Sequence, residues 1–144
     1  MTEQASAAED LVPEATRQRL KNLRLSLLRL HKALLDDERL AYERVNGQVT
    51  GGELLQLVIN HEQFAWLHSI SELIVSIDEM MDAEEPMTNA DAESLLTQAR
   101  VLLKPSEDGT DFERKYYAAL QREPDIVLAH REVTKILQVR APTL

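Results

Sequence analysis

The sequence predicts an all-α chain, an up-down bundle of four to five helices built on a long antiparallel helical hairpin. Three observations lead there. All five prolines and all four glycines fall at the edges of segments with helical periodicity, where those residues end or cap helices and do not break them. No segment alternates apolar and polar residues as a strand would. Apolar residues instead recur at three- and four-residue spacing through two long stretches, 14–46 and 53–83.

Taken in order, residues 1–12 are small and acidic with little to bury, so a disordered tail is expected there. Residues 13–140 are expected to form one helical domain, as the length of 144 residues suggests, and 141–144 to fray. Pro13 precedes a first helix over Glu14 to Asn46. Gly47, Gly51 and Gly52 separate it from a second of nearly equal length, Glu53 to about Ala83. A short glycine-rich connection makes an antiparallel pair the natural arrangement. A third helix is expected from about Ala90 to Leu103, with Thr88 or Asn89 as its N-cap. Thr110-Asp111-Phe112-Glu113 reads as a capping box opening a fourth helix to about Arg122. Pro124 suits the first turn of a fifth, Asp125 to Gln138, with Asp125 near its positive end. One kinked rod over the last two is the alternative.

On the first helix Leu20, Leu23, Leu27, Leu30, Leu34, Ala41 and Val45 make one stripe, which Leu28, Leu35 and Tyr42 widen. Arg24, His31 and Glu38 lie inside that arc, seven residues apart and therefore stacked. In the plain reading Arg24 snorkels to water, while His31 and Glu38 are satisfied within a hydrogen-bond network. In the chemical reading His31 and Glu38 join His130, which falls within the inner stripe Ile126, Ala129, Val133 and Leu137 of the last helix, to hold a metal ion. The standard motifs are absent. Leu28, Val58, Ala65 and Val127 stand three residues before the four histidines, so Glu-x-x-His does not occur, and His61-Glu62 is followed by Ala65 where a zinc protease has histidine. A non-standard site of His31, Glu38 and His130 is therefore the alternative expectation, a metal- or small-ligand-binding bundle.

The second long segment reads as apolar on two sides. Leu55, Ile59, Trp66, Ile70, Leu73, Ile77 and Met80 or Met81 form the stronger core face, and Leu57, Phe64 and Val75 lie on the other beside His61, His68, Glu72 and Glu79. A helix apolar on two sides is buried on two sides, by this chain or by a second subunit. The leading expectation is thus a non-enzymatic interaction module that self-associates, as a dimer, through Leu57, Phe64, His68, Glu72 and Val75, with a further protein partner as an option. His68 and Glu72, one turn apart, can pair.

Other classes are disfavoured. Net charge is −9, from 25 acidic and 16 basic residues, and the basic residues Arg17, Arg19, Lys21, Arg24 and Arg29 spread around the helix, so no nucleic-acid partner is expected. The absence of cysteine excludes disulfides and Cys-ligated metals. No apolar run approaches the ~20 residues of a membrane span, and the first residues lack the basic start and apolar stretch of a secretory signal. A cytoplasmic location away from membranes is expected. No phosphate-cradling glycine loop, nucleophile elbow or thiol occurs, so neither cofactor nor catalysis is expected. Glu79, Asp82, Glu84 and Glu85 crowd the end of the second segment, where acidic charge opposes the helix dipole.

Overall fold

The computed structural model describes residues 11–138. The expected fraying at 141–144, and the expected tail apart from Leu11 and Val12, lie outside the described residues. Among the described residues six α-helices and one 3-10 helix form: α1 (Glu14–Asn46), α2 (Gly51–Asn60), the 3-10 helix (Glu62–Leu67), α3 (His68–Asp82), α4 (Asn89–Leu102), α5 (Asp111–Arg122) and α6 (Pro124–Gln138). Leu11 and Val12 are not loose as expected. Leu11 makes an isolated antiparallel bridge with Thr88, and the Val12 amide donates to Met87 O at 3.0 Å.

Helix α1 has the predicted bounds, for the predicted reasons. Pro13 is extended (φ −64°, ψ 154°) and starts it. No proline or glycine interrupts the following 33 residues. Gly47 ends it at φ 86°, donating its amide to Glu43 O; a side chain there would meet the left-handed penalty that glycine avoids.

The buried face of α1 is Leu20, Leu23, Leu27, Leu30 and Leu34. Its principal neighbour is α6, with α3 on another side. Polar contacts order the pairing: Arg17 donates to Met81 O, Arg24 pairs with Asp78, His31 meets Ser71 and Glu38 accepts from Gln63. Numbers rise along α1 as they fall along the partner. Against α6 the same holds, with Arg19 on Ile136 O and Leu137 O and Arg29 on Glu132 at 3.5 Å. Arg122, at the end of α5, reaches Asp37 at 2.6 Å. Helix α4 touches α1, α3 and α6. Its first residue is beside Thr88, bridged to Leu11, and its Arg100 donates to Leu137 O at 3.1 Å, so both of its ends are tied to the end of the molecule where α1 begins.

The short helices start as their sequences require. Thr88 caps α4 in a full capping box with Asp91, and Thr110 caps α5 in the expected one with Glu113. The last two helices are separate, because Glu123 is extended (φ −132°, ψ 111°) before Pro124.

The second long helix is the main correction. It breaks at His61, which is extended (φ −90°, ψ 133°) and whose ring Nδ1 accepts from the Gln63 amide, starting the 3-10 turn. A 3-10 helix turns about 120° per residue against about 100° for an α-helix, and that change of pitch brings Phe64 into line with Leu67, so that both are buried together with Trp66, Ile70, Leu73 and Ile77. The two apolar faces therefore do not exist as such; they arise from drawing a broken segment as one helix. Phe64, expected at an interface, is 0% exposed within its own chain. Leu55 and Ile59, expected in the core, are 57% and 55% exposed, and Val45 at the far end of α1 is 83% exposed.

Replacing Phe64 with alanine is expected to cost about 3–5 kcal/mol, as for other fully buried phenylalanines. Leu55→Ala should stay within about 1 kcal/mol, as for surface changes. Denaturant titration of the two variants checks the contrast, and equal losses would contradict the broken helix.

Candidate functional site

The histidines and carboxylates singled out by the sequence do not converge. His31 is half-buried between α1 and α3, its Nε2 3.0 Å from Ser71 Oγ. Glu38 accepts from Gln63 Nε2 at 2.9 Å. His130 faces α5: its Nδ1 lies 2.5 Å from the Tyr116 hydroxyl and its Nε2 3.4 Å from Thr134 Oγ1. Each side chain thus has a different neighbour, and no group of three His, Asp or Glu residues able to hold a metal ion forms among the described residues. Periodicity placed these three side chains toward the inside; it carried no information on which neighbour each would meet.

Burial governs the chemistry of these groups. It lowers the pKa of His31, with nearby His68 adding in the same sense, and lowers that of His130. It raises that of the Tyr116 phenol. The neutral phenol supplies one proton, and neutral His130 can accept it at Nδ1. Around this pair Tyr116 meets Phe112 at 5.6 Å between ring centroids, and Phe112 meets Trp66 at 5.4 Å. Trp66 Nε1 is buried with no hydrogen-bond partner among the described residues, a cost of about 1–3 kcal/mol.

The expected interface residues are likewise dispersed. Leu57 on α2 is half-buried against the core, and Phe64 is inside it. His68 opens α3 and its Nε2 donates to Val58 O at 2.6 Å, holding the last turn of α2. Glu72 is exposed at a shallow groove with Ser69, Ser76, Gln98 and Leu102. Val75 is 51% exposed on α3.

A different apolar surface takes their place. Helix α2 contains no buried residue. Leu54, Leu57 and Val58 rest partly buried on the core, while Leu55 and Ile59, four residues apart and hence on one face, point to solvent. Sequence reasoning assigned both to the core because it continued the helix through Asn60-His61-Glu62-Gln63; four polar residues in a row were the available sign of a break. Thr50 caps α2 by accepting from the Glu53 amide, and the loop before it is fixed by Arg39 on Val49 O at 2.7 Å and by the Val49 amide on Glu43 at 2.9 Å. No helix of the described residues is long and apolar enough to cross a membrane.

Comparison with protein-family models, with curated proteins and with solved structures finds no match to this chain.

Because burial depresses His31 and His130, the unfolded chain takes up protons first as pH falls through about 6.5, the ordinary histidine value. The stability tied to the neutral rings is complete above that pH and declines below it until the rings protonate in the folded protein. The midpoint of thermal unfolding is expected to fall between pH 7.5 and 5, and His130→Asn to make the fall shallower. An unchanged slope in that variant would remove His130 from the account.

Proposed function

We propose that the chain is a non-enzymatic helical interaction module that associates with a second copy of itself through the outer face of α2, on an up-down helical bundle as scaffold. The observation that carries this reading is the exposure of Leu55 and Ile59 on a helix that has no buried residue of its own. Large apolar side chains adjacent on one face mark contact surfaces more often than isolated ones do.

Charge favours a second copy as the occupant. The protein carries a net charge of −9, yet Leu54 to Asn60 contains no charged residue, so two copies can approach there without the repulsion met elsewhere. Leu55 and Ile59 are also self-complementary: across a two-fold axis, Leu55 of one α2 meets Ile59 of the other and the reverse. The expected contacts at Leu57, His68, Glu72 and Val75 become neighbours of this face or bystanders, and Phe64, buried within its own chain, drops out of it.

Sedimentation velocity over a concentration series tests the reading. The protein should populate a dimer, and Leu55→Glu with Ile59→Glu should leave a monomer of unchanged helical circular dichroism, since both positions are exposed. A protein monomeric at every concentration, or a dimer that survives both substitutions, would remove it.

A further inference from the structure

An unbroken run of rings crosses the core from the 3-10 helix to α6. Trp66 meets Phe112 at 5.4 Å between centroids, Phe112 meets Tyr116 at 5.6 Å, and Tyr116 meets His130 at 5.3 Å. Trp66, the one tryptophan of the chain, is 6% exposed, and Tyr116 is fully buried. The two ends of the run differ in what they offer a proton. Trp66 Nε1 has no acceptor among the described residues. The Tyr116 hydroxyl lies 2.5 Å from His130 Nδ1. Burial keeps that phenol protonated, so it donates and Nδ1 accepts, which places the ring proton of His130 on Nε2, 3.4 Å from Thr134 Oγ1. Thr134 gives its own proton to His130 O at 2.8 Å and so has a lone pair left to accept that N–H.

We propose that Trp66, Tyr116 and His130 form a one-electron relay, which passes the oxidising equivalent of a small radical oxidant to a buried phenoxyl held by His130. The oxidant takes one electron from the Trp66 indole and leaves a radical cation that keeps its N–H proton. Tyr116 returns an electron to Trp66 across Phe112. Its O–H bond breaks as it does so, and the proton passes to His130 Nδ1. The products are intact Trp66, a neutral phenoxyl radical at Tyr116 and an imidazolium at His130. One electron has left the protein, and no proton has.

The proton partners set the direction of transfer. A charge on a buried indole without a hydrogen-bond partner is costly. At Tyr116 the charge does not stay on the buried ring; it moves to half-buried His130, whose Nδ1–H then donates to the phenoxyl oxygen while Nε2–H keeps Thr134. Phe112 is the hardest of these rings to oxidise, so it bridges the gap without holding the hole. The chain has no cysteine, so no thiol intercepts the hole. Among the described residues Tyr116 alone of the three tyrosines is hydrogen-bonded to a histidine ring, and Tyr42 packs with His61 and Phe64, away from this run.

Pulse radiolysis with the azide radical, which oxidises indole in preference to phenol, tests the relay. The indolyl absorption should decay as the tyrosyl absorption rises, in a first-order step whose rate does not change with protein concentration. Tyr116→Phe removes only a hydroxyl and should abolish that step. His130→Asn should slow it about a hundredfold, the low end of what a positioned base contributes to proton transfer; a merely structural bond between the two side chains would shift stability and leave this rate alone. Trp66→Phe, which keeps a ring in place, should remove the delayed rise of the tyrosyl signal. An indolyl radical that decays only by meeting a second molecule, a tyrosyl signal that rises as fast in Tyr116→Phe, or an unchanged rate in His130→Asn would overturn the relay.

Discussion

At 1.5 Å per residue the 33 residues of α1 span about 50 Å, whereas α3 and α6, with 15 residues each, span about 22 Å. The remaining architecture is arranged around that mismatch. Where α1 has company, Leu20 to Leu34 are sealed between α3 and α6. Beyond that, α1 runs on to Val45 with the 3-10 helix as its neighbour, through Gln63 on Glu38 and Phe64 beside Tyr42. The chain returns through the short α2 and then changes pitch at His61, so that Phe64 closes the core beside Tyr42. A single straight helix from Glu53 to Ala83 could not satisfy both ends, because the register that buries Ile70 and Ile77 would turn Phe64 away.

The opposite end is held by arginines on helix carbonyls. Arg17 reaches Met81 O at the end of α3, and Arg19 and Arg100 share Leu137 O at the end of α6. Helix C-termini carry partial negative charge, and a cation there contributes about 0.3–1 kcal/mol at an exposed site. Two guanidiniums on one carbonyl repel each other, and Arg19 has a pKa lowered first by burial and then by Arg100. The basic opening of α1, which seemed unorganised around the helix, is divided among its neighbours: Arg17 and Arg24 face α3, and Arg19 and Arg29 face α6.

Much of the fold was legible because its signals are local. Pro13 and Gly47 bound α1, and Thr88 and Thr110 begin α4 and α5 through bonds reaching three residues. The break at His61 was not legible by the same rules. It uses neither proline nor glycine, and its cap is an imidazole nitrogen, which serves as readily elsewhere. The candidate site suffered from a related limit. A helical wheel gives the direction of His31 or His130 but not the identity of the facing residue, and Ser71 and Tyr116 could be found only once the helices were assembled. Leu55 and Ile59 were misplaced for the same reason that Phe64 was, since all three depended on one continuous register.

The pairing of α1 with α6 joins segments far apart along the chain, with Arg19 and Ile136 separated by 117 positions. Ribosomal synthesis proceeds at about 5–20 residues per second, so the leucine stripe of α1 must wait several seconds after it emerges for its principal cover. During that interval Leu20 to Leu34 form an apolar strip open to other chains. The order of the helices, and not the strength of any contact in the finished structure, thus sets how long that strip waits for α6 during translation.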